Sequence, residues 1–250
     1  MGAILPVQCA GCGAWDEVLC ASCRSLSRAS PIPTVLEGAR GPIPGVILGD
    51  YCGPLRRIVL GAKHAARTDV SAFLNEAGAT LGASLRESVV GLGAPASRSA
   101  RSRGRGSGAG SAVEVWVVPA PSSWGRRLRG RSVALPIALG VARGLTSACA
   151  AGERGGGQRG VRVSVVDAAR LRVGAGSQSG KAGAARVAGR MGSMRSRVRP
   201  ARGVVVIAVD DVVTTGATIR EMERVLGRLD GVAALCRPGL SHDAGHRCEV

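Results

Sequence analysis

The stretch that decides the fold is Val204–Leu226, VVVIAVDDVVTTGATIREMERVL. A run of apolar residues, typical of a strand buried on both faces, leads directly into the adjacent acids Asp210 and Asp211. The loop after them is built from small residues: Thr214, Thr215, Gly216, Ala217 and Thr218. The apolar residues beyond the loop recur at helical spacing. This order predicts one unit of an α/β sheet, with the acids at the carboxyl end of the strand, where open parallel sheets bind ligands.

The rest of the chain repeats this alternation. Apolar runs predict strands over 46–51, 113–121, 161–166 and 231–236, and apolar residues at helical spacing predict helices over 54–65, 70–90 and 133–145. Prolines and glycines between Pro31 and Gly45 predict a connector. Because continuous apolar strands alternate with helices, we expect a mostly parallel sheet with helices on both faces.

The loop after the acidic pair favours an anionic sugar as ligand. Thr218 and Glu221 have the spacing of a capping box, which predicts that Thr218 caps the helix and that the positive end of the helix dipole points into the loop. Adjacent carboxylates repel each other, and they are tolerated where they face sugar hydroxyls or reach a divalent cation such as magnesium. The pattern predicts a site for a ribose phosphate. The alternative is a well-capped turn beside a chance acidic pair.

Half of the cysteines lie near the N-terminus, in the sequence CAGCGAWDEVLCASC. Cys9, Cys12, Cys20 and Cys23 form two CxxC pairs across a short spacer, and such pairs place four thiolates around a structural zinc ion. A pair of disulfides is the alternative. We interpret Cys52 and Cys149 as small apolar residues. Cys236, His242, His246 and Cys248 are interpreted as part of a loose C-terminal tail rather than a second metal site.

Composition limits the class of protein. A chain of 250 residues with 45% apolar residues is long enough for one full-sized domain and a small module. The formal net charge of +17 favours phosphate-bearing partners, although a biased coding composition would also enrich arginine. Aromatic residues make up only 2%, so a stacking surface for single strands is not evident. The best membrane candidate, around Pro136 and Arg143, is too short to span comfortably, so we expect a soluble cytoplasmic protein without membrane insertion.

Two segments are unusually basic. Residues 95–112 carry arginines without an acid and show no apolar periodicity, which predicts a disordered insertion. The stretch from Arg154 to Arg202 is also rich in arginine. It favours either a solvated basic face or non-specific contact with nucleic acid.

The motif VIAVDDVVTTGAT resembles the phosphoribosyl pyrophosphate signature of type I phosphoribosyltransferases. Together with the double CxxC, the whole chain is similar to the ComF (GntX-like) competence family. The family motif Y-x-G-x-L-R followed by lysine is matched by YCGPLRRIVLGAK, from Tyr51 to Lys63, and its VPVP turn by VPAP, from Val118 to Pro121. Further matches are the RxRG segment from Arg127 to Gly130, Gln178, Arg186 and Gly192. The chain departs from the family at Arg131, Ser132, Val133, Lys181 and Gly189.

The resemblance implies a zinc-ribbon-like module over 1–30 and a phosphoribosyltransferase-like domain over 46–250. By that resemblance, Asp210 and Asp211 hold ribose hydroxyls or magnesium, and the loop at 214–218 binds the 5′-phosphate. The residues that would face pyrophosphate are Pro119, Pro121, Arg126 and Arg127. It also implies phosphoribose transfer to an unknown acceptor, a link to DNA uptake, and competence-machinery proteins or a second copy as partners. The alternative is a protein that handles single-stranded DNA without catalysing transfer.

Overall fold

The structure is a computed structural model that describes residues 7–64, 69–92, 112–122, 132–152, 161–172 and 192–239, with the backbone alone at 87–92 and 148–152. Most of the predicted disordered insertion, the C-terminal tail from 240 onwards, and several predicted site or motif positions lie outside the described residues: Arg126, Arg127, Gly130, Arg131, Gln178, Lys181, Arg186 and Gly189. Among the helices described, none combines the length and the apolar character needed to cross a membrane.

Fourteen elements follow one another along the described chain. The helices are α1 (Ala21–Ser25), a 3-10 turn (Leu26–Arg28), α2 (Gly53–His64), α3 (Ser71–Leu92), α4 (Ala134–Gly152) and α5 (Ala217–Leu226). The strands are β1 (Ile32–Glu37), β2 (Pro42–Asp50), β3 (Val113–Pro119), β4 (Val161–Val165), β5 (Ala169–Leu171), β6 (Met194–Ser196), β7 (Val205–Val212) and β8 (Gly231–Arg237).

Six of the strands form one sheet in the order β1-β2-β8-β7-β3-β4, and only β1 runs antiparallel to its neighbour. The predicted α/β class with a mostly parallel sheet is therefore confirmed. In the central strand β7, Val205, Ile207 and Val209 pack into the core on one face, and Val206 and Ala208 into the core on the other. This burial on both faces is why the strand is a continuous apolar run.

The predicted connector between Pro31 and Gly45 is wrong, because most of it forms the β1–β2 hairpin. Ile32 pairs with Ile47 and Glu37 with Pro42 in an antiparallel register. Pro33 is tolerated because β1 is the edge strand, and Pro42 and Pro44 because they precede Gly45, where the pairing of β2 with β8 begins. The sequence therefore contains turn-type residues inside a strand, and they mislead a reading based on composition.

Two helices on one face of the sheet pack through glycines. A Cβ atom at Gly78 would collide with the carbonyl oxygen of Ile137, and one at Gly82 with that of Val141. From the opposite side, Gly140 lies against the backbone of Asn75. The contacts advance in the same direction on both helices, so α3 and α4 run parallel with backbones in direct contact. We call this the glycine seam; it fixes the spacing and the register of the two helices.

Candidate functional site

The acidic pair, the small-residue loop and the proline turn meet at the carboxyl edge of the sheet. Pro119 at the end of β3 pairs with Val209 in β7, and the N–H of Ala120 donates to the carbonyl of Val209 at 2.7 Å. The turn that contains Pro119 and Pro121 therefore lies immediately beside Asp210. Segments about ninety residues apart in sequence converge as expected from parallel strands whose carboxyl ends share one edge.

Asp210 is a buried acid. Its residue is only 8% exposed, and one carboxylate oxygen accepts the N–H of Asp211 at 2.9 Å. Burial raises the pKa of Asp210 to about 8, with a further contribution from the charge of Asp211, while the ammonium of Lys63 acts in the opposite direction. One ammonium does not offset two adjacent carboxylates at this buried position, so Asp210 favours its protonated form.

Asp211 is held by Lys63, near the end of α2. The Lys63 ammonium forms an ion pair with Oδ2 of Asp211, and the two side chains are 20% and 13% exposed. Burial raises the pKa of the neighbouring Cys236 thiol, and the charges of Asp211 and Asp50 act in the same direction. Lys63 ends the stretch from Tyr51 that resembles a family motif, but it was not among the predicted site residues. Nothing in its local spacing indicated that α2 brings it to Asp211.

The loop beyond the acids is accessible, and its helix begins earlier than predicted. Thr214 is exposed, and Thr215, Gly216 and Thr218 are half-buried. Gly216 has a φ of 70° and stands at the N-cap of α5 without a side-chain cap, so Thr218 lies inside the first turn. The predicted capping box is therefore wrong. The unpaired N–H groups at this helix start face the loop, as in sites that bind anions.

Glu221, the expected partner in that box, points elsewhere. It is buried, and its Oε1 accepts the N–H of Met194 on β6 at 3.0 Å. Arg224 binds both of its oxygens, at 2.7 and 2.8 Å. Burial opposes ionisation of Glu221, but these donors more than compensate, so its pKa is lowered. The acid fastens the small β5–β6 sheet, which no sequence signal predicted, to α5.

Glu223 is a second buried acid on α5. Its carboxylate accepts the backbone N–H groups of Ala39 and Arg40, at 2.5 and 3.3 Å, in the β1–β2 turn. The helical spacing of apolar residues predicts only which face of α5 packs on the sheet. A helix pattern does not show that a hairpin and a second sheet will cover the other side.

A cavity of about 880 Å³ opens beside the proline turn, between the starts of α3 and α4. Pro119 and Pro121 line it, with Asn75 on α3 and with Leu135 and Leu139 on α4. Asp210, Asp211 and the loop at 214–218 are not among its lining residues. The proline turn thus contacts this cavity on one side and borders the acidic pair on the other.

The four N-terminal cysteines form one compact cluster, as predicted. Their Sγ atoms all lie within 4.8 Å of one another, and those of Cys12 and Cys20 are 3.6 Å apart. Sulfurs in a tetrahedral zinc site are separated by roughly 3.8 Å, so the cluster fits a metal such as zinc. Burial raises the pKa of Cys23, whereas at Cys9 backbone N–H groups outweigh burial and lower the pKa to about 6. The cluster packs on the core beside α2.

Cys52 is not the simple apolar residue that we expected, because it is disulfide-bonded. The cysteines with free thiols in the described part of the chain are Cys9, Cys12, Cys20, Cys23 and Cys236. Spacing does not reveal such a bond, since isolated cysteines have no pairing signature.

Comparison with known proteins does not assign a function to this chain, so the assignment depends on the geometry of the site. No protein-family model matches the chain, and no curated protein matches it either.

Proposed function

We propose that this protein binds phosphoribosyl pyrophosphate with magnesium at the carboxyl edge of β7, and that its fold is of the type I phosphoribosyltransferase kind in the ComF family. The observation that carries the proposal is the position of the adjacent acids Asp210 and Asp211 at the sheet edge, directly before an accessible hydroxyl loop at a helix start. Carboxylates suit ribose hydroxyls or a hard divalent cation, and helix-start N–H groups suit a phosphate.

Each part of the site has a proposed role. The hydroxyls and N–H groups of 214–218 bind the 5′-phosphate, and Asp211, the more accessible acid, faces the ribose or the cation. The turn at 119–121 faces pyrophosphate, as would Arg126 and Arg127. In transfer, the bond between ribose C1 and the pyrophosphate oxygen breaks, and an acceptor atom takes its place on C1. Magnesium, when bound, supplies positive charge that stabilises the departing pyrophosphate.

Calorimetric titration with phosphoribosyl pyrophosphate and magnesium tests binding. We expect Thr214→Glu to abolish it, because the new carboxylate repels the phosphate at an exposed position that does not affect packing. The matched control is Thr146→Glu on the exposed side of α4. Equal binding by wild type and Thr214→Glu would contradict the proposed site. Pyrophosphate release with a panel of nucleobases and amines then tests transfer.

One observation favours contact with single-stranded DNA as a second function. Arg195, Arg199 and Arg202 are exposed near β6 and before β7, within the basic stretch. Replacing these three by glutamine should weaken binding of a single-stranded oligonucleotide and reduce the slope of log affinity against log salt by about two. An unchanged slope would remove these arginines from the interface.

A further inference from the structure

Lys63 occupies the position that a cation bound by the acidic pair would need. Its ammonium pairs with Asp211 Oδ2, an oxygen that accepts no hydrogen bond from the residues that the structure describes. The ion pair is thus the interaction that neutralises this oxygen. A divalent cation that used the same oxygen would have to displace the ammonium.

We propose that Lys63 is an exchangeable counter-ion, which keeps divalent cations off the Asp210–Asp211 pair until an anionic ligand draws its ammonium away. Cation and phosphate-bearing ligand then bind cooperatively. This inference rests on the proposed function and adds its regulation: the acidic site accepts a metal together with the sugar phosphate rather than alone.

The placement of Lys63 suits an exchange. The body of α2 is anchored by Ile58 and Val59, both fully buried, so the base of the lysine is fixed. Its long side chain ends in a single mobile ammonium, unlike the rigid fork of an arginine. The phosphate-binding loop begins at Thr214, three residues after Asp211. A phosphate there offers the ammonium a new partner near the old one.

The charge balance favours exchange over permanent neutralisation. One ammonium faces two adjacent carboxyl groups, of which Asp210 favours its protonated form. A divalent cation in place of the ammonium would balance both groups in their ionised form, but the freed, half-buried ammonium then lacks a counter-charge. A ligand that carries phosphates supplies it. Because binding free energies are reciprocal, the ligand strengthens cation binding by the same factor as the cation strengthens ligand binding.

The experiment uses full-length protein with its cysteine cluster loaded with zinc, and manganese(II) as a paramagnetic probe. Binding of manganese alone is compared between wild type and Lys63→Met. We expect the variant to bind manganese at least tenfold more tightly, because its competitor is gone. Arg57→Met removes the same charge from an exposed position on the same helix and should leave manganese affinity within twofold of wild type.

The second arm measures magnesium-dependent binding of phosphoribosyl pyrophosphate. We expect Lys63→Met to weaken it at least fivefold and Lys63→Arg to restore most of it, since a cation is again available to the phosphates. A purely structural lysine would not produce opposite changes in metal and ligand affinity. Lys63→Gln provides a second neutral variant, and thermal melting verifies that each variant is folded.

The outcomes separate the two proposals. If Lys63→Met and Lys63→Gln, both folded, bind manganese no more tightly than wild type, the counter-ion role is overturned, whatever the sugar phosphate does. If they bind manganese more tightly but no protein binds phosphoribosyl pyrophosphate, Lys63 still excludes cations and the proposed function fails instead.

Discussion

Two pairs of buried acids lie within fourteen residues of each other and differ in how their charge is met. Glu221 and Glu223 on α5 receive backbone N–H groups, and Glu221 also binds Arg224. Asp210 and Asp211 have each other, one lysine and their own backbone. The glutamates connect parts of the fold, whereas at the aspartates the fold disfavours a second negative charge, so the pKa of Asp210 is raised.

This difference indicates how structural and functional acids can be told apart. Buried carboxylates that accept two or more fixed donors are stabilised in the charged form and hold elements together. A buried carboxyl with a raised pKa reduces the stability of the folded state at neutral pH, and such groups cluster at functional sites. Burial acts to raise the pKa of both carboxyl groups, but at Glu221 the Arg224 guanidinium and backbone N–H groups outweigh it, whereas at Asp210 the charge of Asp211 adds to it.

The largest effect is expected at a third group of negative charges, the thiolates of the cysteine cluster. Structural zinc binds with roughly 10 kcal/mol or more, so we expect its removal by a chelator to lower the free energy of unfolding by more than about 3 kcal/mol. Thermal melting with and without chelator measures this, and native mass spectrometry should find one zinc per chain. The same loss in Cys12→Ser but not in Cys236→Ala would locate the ion. A chelator-insensitive melt would contradict a stabilising metal.

The next largest effect is expected when the hydrogen bonds of the buried Glu221 are removed. Glu221→Ala leaves the N–H of Met194 and the guanidinium of Arg224 without their acceptor, and we expect a loss of about 2–4 kcal/mol in denaturant unfolding. The double variant Glu221→Ala, Arg224→Ala should recover part of it, since no unpaired charge remains. If Glu221→Ala unfolds at the wild-type midpoint, the contacts of Glu221 between α5 and β6 do not stabilise the protein.

Replacing Asp210 should change the free energy of unfolding in the opposite direction. Because the pKa of Asp210 is raised to about 8 from its usual value near 4, the folded state holds a proton that the unfolded state releases. Its contribution to stability is therefore full below pH 4 and declines as the pH rises towards 8. Asp210→Asn should stabilise the protein by roughly 1–2 kcal/mol at pH 8 relative to pH 5. A gain that is equal at both pH values would show that the proton does not matter.

The smallest effect on the free energy of unfolding is expected at an exposed ion pair. Arg28 donates to Glu76 at 2.6 Å, but the two side chains are 77% and 30% exposed. Solvent screens this pair, so Arg28→Ala should cost no more than about 0.5 kcal/mol. Loss of more than about 1.5 kcal/mol would mean that the arginine has a packing role.

Local patterns predicted much of this molecule. The buried strand at 205–212, the loop after it and the cysteine cluster are each encoded in a few neighbouring residues, and all three are confirmed as structural features. The strand can be predicted because a strand that is buried on both faces consists of a nearly continuous run of apolar residues.

Long-range pairings could not be predicted. Lys63 reaches Asp211 across 148 residues of sequence, and Glu223 reaches the β1–β2 turn across 184. Helix α5 begins earlier than predicted because its N-cap is Gly216, in a left-handed conformation that glycine adopts readily, and not Thr218. The long-range contacts depend on which surfaces the tertiary fold brings together, and local sequence patterns do not predict this.

The glycine seam has a consequence for how this protein tolerates change in length. α3 and α4 are clamped backbone to backbone, so their alignment does not depend on the chain that joins them. A connecting segment can then lengthen at an entropic cost that grows only slowly with its size. The arginine-rich stretch between Leu92 and Val113 joins the end of α3 to the start of β3, whereas the described residues that line the cavity include the start of α3 and the end of β3. A chain that gained or lost ten residues there should keep the same architecture.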